Sequence, residues 1–142
     1  MAVITTQVLE NSQRNLVLQV VGVANGTAET GSKIIDAAAT TYAVTAYGQT
    51  TPPGVHLAFR EIEYSVPEAG LVELLWDATS ALPFASLTGF GRLSYRDLFL
   101  GNPKTAGSTG SVLLTTLNPT TGASADCSFT LLFKAIKGVP QS

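Results

Sequence analysis

Few residues in this chain are able to do chemistry, and their spacing argues against most of it. His56 is the single histidine and Cys127 the single cysteine, about seventy residues apart. A zinc site needs three or four His, Cys or carboxylate ligands, so this pair does not make one. As a general base, His56 would need a serine and an acid placed by the fold, and no nucleophile-elbow sequence accompanies it. Glu61 and Glu63 lie two apart in an extended run, which puts both carboxylates on one strand face. Their Cα atoms would stand roughly 6.5 Å apart, a spacing that a glycosidase pair tolerates. The alternation Glu61-Ile62-Glu63-Tyr64 is also what a half-exposed strand produces, with the carboxylates paired to Arg60, Arg92 or Arg96. That second reading is the expectation.

The glycine-rich and remaining polar signals lead to the same place. Gly89-Phe90-Gly91 lacks the third glycine of a dinucleotide fingerprint, and Gly107-Ser108-Thr109-Gly110-Ser111 lacks the lysine of a phosphate loop. Both read as turns. Asp77 behind Trp76 reads as a strand stop, and Cys127 as a small buried hydrophobe. Trp76 with Tyr42, Tyr47, Tyr64 and Tyr95 would suit an aromatic platform for sugar, or simply a core. No enzyme, cofactor or metal is expected.

The elements that must position these residues are strands. Leu16, Leu18 and Val20 alternate with Val17, Gln19 and Val21, and Asn25-Gly26 then gives a hairpin signal. The segment from Gly31 to Gly48 mixes helical and strand signals; strand is expected from Thr40 to Tyr47, with a helical turn near Asp36 to Ala39. Pro52-Pro53-Gly54 makes a rigid loop. In the strand that follows, Leu57 and Phe59 share one parity while Ile62, Tyr64 and Val66 share the other, which predicts a β-bulge near Arg60-Glu61. Pro67 to Gly70 is a turn, and Leu71 to Trp76 is a central strand apolar on both faces. Ser80 to Gly91 reads as a loop, Arg92 to Leu100 as a strand alternating through Leu93, Tyr95 and Asp97, and Gly101 to Gly110 as a second loop. Ser111 to Leu117 is a strand, Asn118 to Ala125 a turn, and Cys127 to Lys137 a last strand with Phe129, Leu131 and Phe133 inward. Seven or eight strands separated by turns make an all-β domain, a β-sandwich or jelly-roll-like fold. Its expected core includes Val72, Leu74, Trp76, Phe129, Leu131 and Phe133. Residues 1–13 read as an N-terminal arm and 14–142 as the sandwich domain.

Charge is the chain's most unusual property. It carries only eight basic and ten acidic side chains in 142 residues, with none from Ala37 to Phe59 and none from Thr105 to Ala125. Thr, Gly, Pro and Ser interrupt both stretches too often for a membrane span. The net charge of −2 and the absence of a basic run argue against nucleic acid and against a membrane surface. No signal-peptide pattern opens the sequence, and a lone cysteine suits a reducing site of synthesis, so Asn25-Gly26-Thr27 reads as a turn rather than a glycosylation site. A free monomer usually keeps itself apart from others with more surface charge. A chain that omits it is expected to lie largely against protein.

Four strings, RNLVLQVVG, LVELLWDAT, GFGRLSYRD and GSTGSVLLTTL…CSFTLLFKAIKG, resemble the small virion structural proteins of tailed bacteriophages, in particular capsid decoration or cement proteins. The resemblance runs from Arg14 to Gly138 and contains no chemical motif. It implies a non-catalytic homo-oligomer, a homotrimer, on the outer capsid surface, made in the host cytoplasm and bridging subunits of the major capsid protein. A tail or connector component is the near alternative, and a carbohydrate-binding β-sandwich module the distant one. Expected assembly contacts are Ala2, Val3, Ile4, Val8 and Leu9 of the arm, able to add to a neighbour's sheet edge, and Tyr47, Pro52, Pro53 and Val55 of the proline loop.

Overall fold

A computed structural model describes residues 3–12, 15–36, 45–46, 49–50, 56–95, 100–101, 109 and 111–138. Among these residues there are twelve strands and no helix. They are β1 (Val3–Asn11), β2 (Asn15–Val23), β3 (Ser32–Ile35), β4 (Thr45–Ala46), β5 (Gln49–Thr50), β6 (His56–Val66), β7 (Leu71–Trp76), β8 (Leu82–Leu87), β9 (Gly89–Ser94), β10 (Leu100–Gly101), β11 (Val112–Leu117) and β12 (Phe129–Gly138). Two antiparallel sheets form a β-sandwich. One has the order β1-β2-β12-β6, and β9 and β10 share the far edge of β6; the other has the order β3-β11-β7-β8. Among the described residues β4 and β5 pair with each other as a separate two-stranded sheet.

The most apolar sequences take the middle of each sheet, where both strand edges are paired and one face is buried against the opposite sheet. β12 lies between β2 and β6, and β7 between β11 and β8. Strict alternation in β2, β7 and β11 turns Leu16, Leu18, Val20, Val72, Leu74, Trp76, Val112 and Leu114 inward, all nearly inaccessible. The inward residues of the last strand, Phe129, Leu131 and Phe133, meet them. An aromatic stack then links the sheets: the Phe59 ring lies 5.3 Å from Phe133 and 5.6 Å from Trp76, and Trp76 lies 4.7 Å from Phe84. Such pairs add to area burial alone.

The expected bulge is present in β6. Lys134 of β12 faces Glu61 while the next residue, Ala135, faces Phe59, so Arg60 is the extra residue. Its carbonyl accepts the Tyr95 N–H at 2.8 Å. The insertion lets Phe59 and Ile62, three apart, both be fully buried.

Three expectations are corrected. Asn25-Gly26 does not close a hairpin; the chain passes from β2 in one sheet to β3 in the other. The Asp126 carboxylate accepts the N–H groups of both Asn25 and Gly26, and β12 already fills the place beside β2 that a returning strand would take. The stretch from Ser80 to Gly91 is not a loop but β8 and the start of β9. Pro83 is tolerated because β8 is an edge strand bulged at Phe84: Leu74 faces Ala85 and Leu75 faces Pro83. Finally, residues 3–11 of the expected arm form β1, paired with β2 of the same chain through a turn in which Ser12 N–H donates to the Asn15 carbonyl. Residues 37–44, with most of the ambiguous segment, and 102–108 lie outside the described residues.

Two strand glycines are required by their neighbours. Gly22 faces Phe129, whose ring would lie 2.3 Å from any added Cβ, and Gly91 faces Tyr64, whose hydroxyl would lie 2.8 Å from one. Each aromatic covers the glycine on the adjacent strand.

Truncating Phe133 to Ala is expected to cost about 3–5 kcal/mol in urea unfolding, a large share of a typical domain's stability. A loss below about 1 kcal/mol would show that the aromatic stack is not the junction between the sheets.

Candidate interaction surface

The outer face of the six-stranded sheet can be read row by row, because residues directly opposite in antiparallel strands point to the same side. One row runs Thr5, Val21, Thr130, Ser65, Phe90; the next Gln7, Gln19, Leu132, Glu63, Arg92; the next Glu10, Val17, Lys134, Glu61, Ser94. Thr130, Ser65 and Phe90 of the first row and Gln19, Leu132, Glu63 and Arg92 of the second line a shallow trough of about 480 Å³, with Leu9, Leu132 and Phe90 as its large apolar side chains. Phe90 is 88% exposed. Val8, Leu9 and Val23 are the other exposed large hydrophobics among the described residues, and all four lie on this sheet.

The charges beside the trough neutralise one another. Arg92 lies 3.0 Å from Glu61, and Lys134 lies 3.3 Å from Glu61 and 3.7 Å from Glu63. Burial, the largest single influence on Glu61, raises its pKa. The hydrogen bond and charge of Lys134, followed by those of Arg92, outweigh it and hold the carboxyl below its ordinary range. The pair of glutamates expected on one face is therefore an ion-pair ladder, with Lys134 as a partner the sequence reading did not assign.

Of the expected contact residues, Val8 and Leu9 are exposed on β1 and Ile4 is half-buried against the core. Val3 opens β1. Ala2, Tyr47, Pro52, Pro53 and Val55 lie outside the described residues, as do Tyr42 and Arg96. His56 is the first residue of β6. Leu9 stands out by a register shift, since Val8 faces Leu18 and Glu10 faces Val17. Trp76 is 3% exposed and stacked, so it presents no platform to a sugar; Tyr64 and Tyr95 are half-buried. Asp77 ends β7 as expected, accepting the Thr109 N–H on its carbonyl and the Thr109 hydroxyl on Oδ2.

Two features were missed by the sequence reading. Phe90 sits between two glycines in a segment read as a loop, and only its place on β9 opposite Ser65 shows that it faces solvent. Glu29 is buried: its Oε2 accepts the Ser32 hydroxyl, and its backbone N–H donates to Thr116 Oγ1 at 2.9 Å. It ties the crossing between β2 and β3 to β11. Cys127 is buried as expected and packs on Gly70; burial, then the Asp126 charge, raise its thiol above the ordinary value.

No family model matches the chain, and a search of the curated proteins finds no match to it.

A Glu61 carboxyl held low contributes stability that is present above the ordinary value of 4.5 and is lost as pH falls through the lowered one. Because Arg92 is 63% and Lys134 41% exposed, that contribution is expected to stay below about 1 kcal/mol and to shrink with salt. Acid titration of Glu61→Gln against the parent checks this; an identical acid limb in both would show that the ladder does not couple to folding.

Proposed function

We propose that the protein is a structural component of a virus particle, a decoration protein that lies on the outside of a tailed-phage head and bridges subunits of the major capsid protein. The observation that carries this reading is the outward-facing Phe90, 88% exposed, in a trough shared with Leu9 and Leu132 beside charges already paired with each other. An exposed phenylalanine on a self-neutralised face suits a protein partner, since little charge must be desolvated when the face is covered. The two uncharged stretches of sequence support the same conclusion, as does the resemblance of the strings from Arg14 to Gly138 to cement proteins. Many copies on a repeating shell add modest contacts into firm attachment. The role asks for rigid shape rather than chemistry, and the sandwich has its bulk in two sheets packed face to face.

The contact is expected to centre on Phe90. Burying a phenylalanine is worth about 1.5–3 kcal/mol, which is about one to two orders of magnitude in affinity. Phe90→Ser should keep the parent melting temperature within a few degrees, because the ring is exposed, yet occupy empty heads at least about tenfold more weakly. Attachment of the parent should weaken little between low and moderate salt. Equal occupancy by Phe90→Ser, or parent protein that does not attach to heads, would remove the reading.

A further inference from the structure

We propose that β1 is a self-association edge, and that two copies of the chain join by antiparallel pairing of β1 with β1 about a two-fold axis through Thr6. Three observations carry this, and none depends on the capsid reading.

The first is the edge itself. β1 ends the six-stranded sheet, and among the described residues no strand pairs with its far side. It therefore presents a row of N–H and C=O groups that a further strand would satisfy. Natural edges are guarded by lysine, proline, inward charge or short length. β1 is nine residues long, and from Val3 to Leu9 it has no charge and no proline. The bulge at Leu9 ends the regular part, so the open edge is residues 3–8.

The second is an overhang. Thr6 faces Val20 and Val8 faces Leu18, so both point to the core side of the sheet. Val20 and Leu18 are almost fully buried, yet Val8 is 41% exposed and Thr6 is exposed as well. Among the described residues the four-stranded sheet meets this side of β1 at one end only: Ile4 packs against the core and the Thr6 hydroxyl donates to the Ile34 carbonyl of β3 at 3.3 Å, while Val8 beyond them stays open. The Val8 end of the core side is what a further element would cover.

The third names that element. Pairing about Thr6 sets Ile4 opposite Val8 of the second copy and Thr5 opposite Gln7, each pair occurring twice by symmetry. Ile4 and Val8 then meet on the core side, flanking a central Thr6–Thr6 pair, and Thr5 and Gln7 meet on the outer side. Moving the axis to Gln7 would set Ile4 against Glu10 and Thr5 against Leu9, mixing apolar with polar. The sequence of β1 is complementary to its own reverse at one register. A two-fold contact closes at two copies, so it assigns a dimer through this edge where the resemblance implies a trimer.

Sedimentation of the full chain at tens of micromolar, with no shell present, tests the proposal. The parent should sediment at about twice 14.8 kDa. Thr6→Lys and Thr6→Glu each place like charges at the axis and should be folded monomers, and an equimolar mixture of the two should recover the dimer. Val8→Lys, at a second exposed position, should also be a folded monomer. A monomeric or trimeric parent, a dimer that survives Thr6→Lys, or a mixture of folded variants that stays monomeric would overturn the proposal.

Discussion

One extra residue in β6 sets the division of labour in this molecule. Without Arg60 as a bulge, Phe59 and Ile62 would point to opposite faces, and one of them would be lost from the core. With it, Phe59 reaches Trp76, Phe84 and Phe133, which joins the sheets. The same shift turns Glu61 and Glu63 outward beside Lys134 and Arg92, which makes the neighbouring surface neutral. The core and the interaction face are thus consequences of a single register change. Bulges in other families also re-aim side chains in this way.

The two sheets differ in width, and that difference explains where the chain is left incomplete. The four-stranded sheet covers the middle of the six-stranded one, where β2, β12 and β6 place their buried residues. Among the described residues it reaches β1 through the Thr6 hydroxyl, which donates to the Ile34 carbonyl of β3, and leaves Val8 open on the core side. Phe90 on β9 is uncovered for a different reason, since it points outward opposite Ser65. The two surfaces lie at opposite ends of one sheet, so copies joined through β1 would present two Phe90 faces. That geometry suits multivalent attachment to a repeating surface.

Much of the fold was legible from parity. Alternation in β2, β7 and β12 placed their core residues, and the change of parity between Phe59 and Ile62 located the bulge. Tertiary partners were not legible. Asn25-Gly26 has hairpin chemistry, but Asp126, about a hundred residues away, captures its N–H groups and redirects the chain. Pro83 and two glycines disguised β8 and β9 as a loop, because edge position and cross-strand aromatic cover cannot be read from a local window. The same disguise hid Phe90. The ion-pair ladder was half legible: Arg92 was anticipated as a partner of the glutamates, whereas Lys134 comes beside them only through the pairing of β12 with β6.

The central claim is that the six-stranded sheet is the working sheet and the four-stranded one its support. Amide hydrogen exchange, read by mass spectrometry on the free protein and on the protein bound to shells, tests this most directly. The account predicts that β12 and β7 exchange slowly in both states and that protection gained on assembly falls on β1 and β9. Protection gained instead on β3, β11, β7 or β8, with β1 and β9 unchanged, would contradict it.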